Sequence, residues 1–239
     1  MRAAWAYARS EFRTTITRGE GLLVSFLIPI GVLIGFSKIR TGGLEPRPLS
    51  FLLPGTITMA VIASAFVSLA IATAFERRYG VLKRLGTTPL GREGVVFGKI
   101  FGIAMVIATQ VVVQVLIAKW MGWNFSGNLF STFVVLLVGC VLFGGLGLWM
   151  AGTLRAEGTL AFSNLGFMLM SALGGFTHPI VDLPTSVQPI ADFLPAAPFA
   201  RCLRTAMDGG SFHGGDIAVV AIWILVGTGA AIRTFRWEE

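Results

Sequence analysis

Six stretches of this chain contain no Asp, Glu, Lys or Arg, and they restrict its possible folds more than any other feature. They are residues 21–37, 49–75, 100–118, 120–154, 158–181 and 217–232. A helix needs about 20 mostly apolar residues to cross the hydrocarbon core of a bilayer. Only 13% of the 239 residues are charged, against about 25% in soluble domains. The sequence therefore predicts a protein whose apolar surface faces lipid.

The predicted fold is an all-α integral membrane protein, because only helices and closed barrels satisfy the backbone within lipid. We expect a single transmembrane domain over residues 1–239 with six spanning helices, at residues 18–38, 51–75, 97–118, 129–154, 158–177 and 216–232. Before them, Trp5, Ala8, Phe12 and Ile16 recur at helical spacing between arginines. This pattern predicts an N-terminal interfacial helix, with a frayed soluble tail as the alternative.

The distribution of basic residues predicts the orientation. With six spans, thirteen of the 19 Lys and Arg residues lie on the side of both termini and of residues 76–99. Cytoplasmic loops carry such an excess, so both termini are expected in the cytoplasm. The net charge of +7 then reflects this bias and attraction to anionic lipid, and nucleic-acid binding is not expected.

Residues 172–215 contain five of the ten prolines but are too apolar for a solvated loop. Irregular backbone at membrane depth requires cover by protein or by a water-filled cavity. We therefore expect short re-entrant or interfacial helices between the fifth and sixth spans. An amphipathic loop outside the membrane is the alternative.

The segment between the second and third spans is basic and has an apolar stripe. Its apolar residues recur at spacings of four and three, as on one face of a helix: Phe75, Tyr79, Leu82 and Leu85. Four cations flank them: Arg77, Arg78, Lys83 and Arg84. This pattern predicts a helix that docks on a partner, or one that packs on the ends of the protein's own helices.

A few polar residues lie inside the predicted spans. Gln110 and Gln114 are one helical turn apart, and Asn164 lies in the fifth span. Together with Phe176 they are candidates for a cargo path, although polar groups in lipid also serve to join helices. The six uncharged stretches offer no Asp, Glu, Lys or Arg side chain that could pass ions through the membrane, so an ion relay is not expected. Cys140 and Cys202 have no metal-type spacing, and we expect no catalytic or metal site.

The order of these motifs resembles a known family. The sequence Glu-Arg-Arg-Tyr-Gly-Val-Leu-Lys-Arg-Leu at 76–85, with Thr88-Pro89-Leu90 after it, resembles the cytoplasmic loop of type-2 ABC exporter permeases of the daunorubicin-exporter-like group. The prolines and apolar residues of 179–201 resemble that group's signature between its fifth and sixth spans, and residues 233–238 are similar to its endings. The resemblance covers the whole chain.

The resemblance implies the permease subunit of an ATP-driven exporter in the plasma membrane of a bacterium. Such a subunit pairs with a second permease, identical or related, and with two ATP-binding cassette subunits that bind ATP and Mg²⁺. The loop then forms a cytoplasmic coupling helix that contacts the ATPase through the following residues: Glu76, Arg77, Arg78, Tyr79, Gly80, Leu82, Lys83, Arg84, Leu85, Thr88 and Pro89. The cargo is expected to be a hydrophobic or amphipathic drug, lipid or glycolipid.

Two other functions are alternatives to an exporter subunit: a lipid-modifying membrane enzyme and an ATP-independent secondary transporter. The chain has no Gly-rich phosphate loop followed by Lys-Ser/Thr, so it contains no nucleotide-binding domain and is not expected to be an enzyme by itself. A lipid-modifying membrane enzyme would need an acid–base cluster, for which His178 with Asp182 is a candidate pair. An ATP-independent secondary transporter would need intramembrane charges or internal repeats, and the sequence contains neither.

Overall fold

The computed structural model describes residues 7, 9–10, 12, 19–38, 48–86 and 91–235. These residues are largely helical and include no strand, which confirms the all-α prediction. The helices are α1 (Gly19–Lys38), α2 (Leu49–Arg78), α3 (Val81–Gly86), α4 (Gly91–Trp120), α5 (Leu129–Thr153), α6 (Ala156–Leu173), α7 (Gln188–Phe193), α8 (Ala196–Asp208) and α9 (Gly214–Thr234). A 3-10 turn at Ile180–Asp182 lies between α6 and α7.

Four helices are long and apolar enough to cross a membrane. They are α2, α4 from Gly94, α5 and α9, and Ser25–Lys38 of α1 is a shorter apolar helix. The described residues therefore support a multi-pass membrane protein, while the six predicted spans stay a prediction. The fifth predicted span, 158–177, is wrong at its end because α6 stops at Leu173. Gly174 caps the helix and Gly175 has φ +64°, a backbone angle that favours glycine.

Helix α2 lies at the centre of the bundle and contacts α1, α4, α5, α6 and α8. Its middle, Ile62–Ser68, is a π-helical segment, in which the hydrogen bonds run from residue i to i+5. We refer to Ile62–Ser68 as the π segment. On α5, Gly147 faces this segment so closely that a Cβ atom would lie 2.8 Å from the carbonyl oxygen of Phe66. The backbones of α2 and α5 therefore pack directly against each other.

Helix α9 packs along α5 through small residues. A Cβ atom on Gly145 would lie 2.8 Å from the Thr228 methyl carbon, and one on Gly227 would lie 3.0 Å from Leu146 Cδ2. Small residues allow close packing of helices within a membrane, where the hydrophobic effect does not drive them together. The many exposed apolar side chains of α4, α5, α6 and α9 lie on the outside of the bundle.

The proline-rich segment forms the short helices that the sequence predicted, although their position in a membrane stays a prediction. Helix α8 is largely buried, and Phe199 contacts Gly139 and the ring of Phe143, whose centroid is 5.4 Å away. Asn128, at the start of α5, donates its backbone N–H to the Ala206 carbonyl at 3.0 Å. Residues 174–213, with the helix ends beside them, form what we call the proline-rich end of the bundle.

The N-terminal interfacial helix can be assessed only in part. Tyr7, Arg9, Ser10 and Phe12 are helical, the Tyr7 ring lies against Gly98 of α4, and Phe12 packs against the core. The other predicted residues of that helix lie outside the described residues, as do residues 39–47 and 87–90.

The close contact at Gly147 yields a prediction. Gly147→Ala should destabilise the bundle by about 1–3 kcal/mol, the usual cost of overpacking, because the new methyl meets the backbone of the π segment. The apparent melting temperature in detergent is the measurement. Gly144→Ala is the matched control on the same helix, since its Cβ would make an ordinary 3.7 Å contact with Leu69. Equal destabilisation by both variants would show that α5 does not pack on the π segment.

Candidate functional site

Three consecutive charged residues end α2, and each contacts a different element. Glu76 Oε2 lies 2.5 Å from Lys99 Nζ on α4. Arg77 donates from Nη2 to the carbonyl oxygen of Leu154, the cap residue that follows α5. Arg78 donates from Nη1 to Glu157 in the first turn of α6. We call this part of the bundle, where α2, α4, α5 and α6 meet, the basic end.

The divergence of these contacts follows from helix geometry. Successive residues of an α-helix are rotated by about 100° around the helix axis. Glu76, Arg77 and Arg78 therefore contact three different neighbours. Arg77 is buried and the Lys99 side chain is 2% exposed. The sequence predicted that all three α2 residues bind an ATPase. The structure places them in contacts within the chain, and their contact with a partner stays a prediction.

A sharp turn separates these residues from α3. Tyr79 caps α2, and Gly80 has φ +69°, which an L side chain would adopt only with strain. The turn breaks the continuous apolar stripe that the sequence predicted over residues 75–85. Tyr79 is 68% exposed, whereas Leu82 is 1% exposed, so these two residues do not share a surface.

Besides Arg78, four side chains of this region lie on the surface, and we refer to these four as the exposed turn: Tyr79, Val81, Lys83 and Arg84. Leu85 is half-buried beside them, and the predicted contacts Thr88 and Pro89 lie outside the described residues. An exposed aromatic ring between cations has the composition of a protein interface, where Tyr and Arg are enriched. Chemically, the exposed turn suits an acidic or aromatic protein surface.

Among the predicted cargo residues, Gln110 joins three helices. Its Oε1 accepts a hydrogen bond from Ser64 Oγ in the π segment at 3.0 Å. Its Nε2 donates to Ser25 of α1, to Oγ at 3.2 Å and to the carbonyl oxygen at 3.4 Å. Polar side chains inside membranes form such bonds because lipid offers no partner.

The Ser25 carbonyl needs a donor because of Pro29. Proline has no N–H and therefore removes the backbone bond to the residue four positions earlier, which here is Ser25. The hydrogen bond from Gln110 Nε2 to the Ser25 carbonyl partly replaces this missing backbone bond of α1. Its geometry accordingly fits the helix-joining interpretation that the sequence left open.

The other three predicted cargo residues occupy different environments. Gln114 is buried on the same helix, and its Oε1 has no hydrogen-bond partner among the described residues. Phe176 is buried against Gly55 and Gly174. Asn164 is exposed and donates to the Leu160 carbonyl of its own helix at 2.8 Å. The four residues therefore do not line one common surface.

Two arginines at the proline-rich end escaped the sequence analysis. Arg201 contacts Asp192 on α7 at 2.8 Å and Asp216 on α9 at 2.6 Å. Arg204 donates to the carbonyl of Phe51 at 3.3 Å and to that of Gly175, with its guanidinium 4.0 Å from the Phe51 ring centroid. Burial, followed by the nearby charge of Arg201, lowers the pKa of Arg204 to about 10.

These contacts had no clear signal in the sequence because backbone carbonyls accept several of the bonds. Lys99 was also missed as a site residue, although a lysine immediately before an uncharged stretch could have suggested a buried partner. Within the described part of the chain, no group of three or more His, Cys, Asp and Glu side chains is placed to hold a metal ion.

Comparison with known proteins supplies further evidence. The family described as ABC-2 type transporter has a model that matches residues 2–207. The chain is also 22% identical over 226 residues to the protein named "Putative transport permease YvfS" of Bacillus subtilis (strain 168). That alignment covers 91% of this chain and 90% of the Bacillus protein.

The contacts of Gln110 can be tested by a double substitution. Gln110→Leu should cost about 1–2 kcal/mol of unfolding free energy, the range for hydrogen bonds between membrane helices. Pro29→Ala should stabilise this variant more than the parent chain, because the restored N–H can bond the Ser25 carbonyl. The unfolding free energy in mixed micelles, titrated with sodium dodecyl sulfate, is the measurement.

The neighbouring Thr109→Ala provides the control. Thr109 is exposed and bonds only the Met105 carbonyl of its own helix in the described contacts, so its loss should be nearly neutral. If Pro29→Ala has the same effect with and without Gln110, the glutamine does not compensate for the proline.

Proposed function

The chain belongs to the ABC-2 type transporter family and is a membrane transport permease, and we propose that it forms the membrane passage of an exporter driven by ATP. Two separate ATP-binding cassette subunits, with ATP and Mg²⁺, supply the energy, and a second permease, identical or related, completes the passage. Family membership and the similarity to a protein named as a transport permease support this assignment.

The observation on which the proposal rests is the exposed turn. Arg77, two residues before the cap residue Tyr79, is buried, whereas the Tyr79 side chain is exposed. Burying a tyrosine and leaving flanking cations at the rim is the usual anatomy of a protein interface. We propose that Tyr79 and Val81 contact the ATPase, while Lys83 and Arg84 set the orientation through acidic groups.

In this proposal the docking surface differs from the one that the sequence predicted. Tyr79, Val81, Lys83 and Arg84 contact the cassette directly. Glu76, Arg77, Leu82 and Gly80 act indirectly, by holding the exposed turn in place.

The proposed arrangement in the membrane has six spans. Helices α1 and α6 contain 20 and 18 residues, which correspond to roughly 30 and 27 Å at 1.5 Å per residue. These lengths are close to the hydrocarbon thickness of a bilayer. The basic end and both termini then face the cytoplasm of a bacterium, with the N-terminal helix in the interface and α7 at the opposite surface.

The proposed cargo is hydrophobic or amphipathic: a drug-like compound, a lipid or a glycolipid. In support, Gln110 is already engaged by two other helices, and the outward-facing surface of α6 is mainly apolar around Asn164. A passage with few polar groups and flexible Met and Leu side chains would tolerate many shapes.

The docking proposal predicts that Tyr79→Ala weakens binding of the ATP-binding subunit with which the chain co-purifies. Truncation of a central interface aromatic costs about 2 kcal/mol or more, which is roughly a 30-fold weaker Kd. Binding to the purified permease in lipid nanodiscs is the measurement, together with permease-dependent ATP hydrolysis.

Trp120→Ala is the control, because Trp120 is also a strongly exposed aromatic residue and lies at the opposite end of the bundle. It should leave binding unchanged. Lys83→Glu combined with Arg84→Glu should weaken binding most at low salt, where charge interactions are least screened. Undiminished binding of the Tyr79→Ala variant would exclude the exposed turn as the docking surface.

A further inference from the structure

The pair of Glu76 and Lys99 is nearly sealed from water. The side chains are 16% and 2% exposed, and the Oε2–Nζ distance is 2.5 Å. Removing two such charges from water costs several kcal/mol per ion, and their attraction offsets this cost only when the geometry is good. A well-packed apolar pair would often be equally stable at such a site. The pair therefore calls for an explanation other than stability.

Its position in the chain provides one. Glu76 is three residues before Tyr79, and Lys99 lies in the first third of α4. The pair thus joins the first and the last residue of the segment 76–99, and the exposed turn lies within this segment. A displacement of the turn that moves the end of α2 must move Lys99 as well, as long as the ion pair holds.

The other two contacts of this helix end differ in strength. Arg78 and Glu157 are both exposed, and exposed ion pairs contribute about 0–1 kcal/mol. Arg77 bonds a backbone carbonyl of the turn between α5 and α6. Among the contacts described at the end of α2, the Glu76–Lys99 pair is the buried connection to α4.

The π segment divides α2 into two parts that have different neighbours. The π segment lies between the end of α2 and its first turns, and such segments recur at functional positions of helices. The first turns are held separately, since the Phe51 carbonyl and ring contact Arg204. The part of α2 that carries Glu76 packs on α5 and α6, whereas α4 packs mainly on the first turns of α2 and on the π segment. The ion pair therefore connects α4 to the part of α2 that it otherwise contacts least.

We propose that Glu76 and Lys99 are positioning residues that transmit displacement of the exposed turn to α4. This inference rests on the proposed function, because it assumes that an ATP-binding subunit moves the turn. It assigns a role to Lys99 and gives Glu76 a role other than direct contact with the ATPase.

The test measures two distances by double electron–electron resonance in the assembled complex. Spin labels at Arg78→Cys and Ile232→Cys measure the distance from the base of the turn to α9, and labels at Phe97→Cys and Ile232→Cys measure the distance from α4 to α9. Arg78 is exposed and lies outside the proposed docking surface. All three positions are exposed, and the buried natural cysteines are replaced as Cys140→Ala and Cys202→Ala. Singly labelled samples identify distances between copies. Nucleotide-free samples are compared with samples trapped by ATP, Mg²⁺ and vanadate.

In the parent, both distances should shift on trapping. In the double variant Glu76→Leu with Lys99→Met, the turn should still shift, whereas the shift of α4 should fall at least twofold. Lys119→Met, at the other end of α4, makes the same substitution without touching the pair and should keep both shifts. The exchanged variant Glu76→Lys with Lys99→Glu restores an ion pair, so it should keep the α4 shift even if the apolar variant fails to assemble.

The possible outcomes distinguish a failure of this inference from a failure of the proposed function. An undiminished α4 shift in the apolar variant, or a lost α4 shift in an assembled exchanged variant, overturns the inference alone. Loss of the turn's own shift in the apolar variant also overturns it, since the pair would then serve docking and not transmission. No ATP-dependent shift of the turn in the parent overturns the proposed function, and the inference with it.

Discussion

Every polar group that leaves water in this bundle needs a partner within the protein, because lipid provides none. This constraint explains contacts that would otherwise look unrelated. Pro29 deprives the Ser25 carbonyl of its backbone donor, and Gln110 of α4 donates to it. Gly175 lies in irregular backbone after α6, and Arg204 donates to its carbonyl. In each case an interruption of one helix creates a bond to another, so local irregularity becomes contact between helices.

The same constraint determines how much of the fold can be predicted from the sequence. Long uncharged stretches predicted α2 and α5 within three residues at each end, because charges and turn residues border them. The end of α6 was predicted wrongly, since Gly174, Gly175 and Phe176 are as apolar as a span. Hydropathy reports whether a residue tolerates lipid, and it does not report where the backbone stops being helical.

The candidate site was harder to predict because the apolar residues from 75 to 85 were expected to form one stripe. Periodicity placed Tyr79 and Leu82 on one stripe, but Gly80 turns the chain and separates them. The basic character of the segment suggested a surface for a partner. Arg77 instead bonds the Leu154 carbonyl, an acceptor that any residue could provide and that therefore has no sequence signature. Only the three-dimensional arrangement shows that Arg77 is buried whereas Lys83 and Arg84 are exposed.

Adjacent residues of this segment therefore serve opposite requirements. A surface that transmits movement must be accessible to its partner and also firmly attached to what it moves. Side chains on a single regular helix face would compete for these two roles. Ending α2 at Tyr79 and turning at Gly80 separates them, because Glu76 and Arg77 face inward on α2 while Tyr79 and Val81 lie outside. A buried ion pair suits this attachment better than apolar packing does. Two apolar surfaces can slide past each other with little loss of free energy. A carboxylate and an ammonium that separate inside the protein lose their attraction and have no water to solvate them.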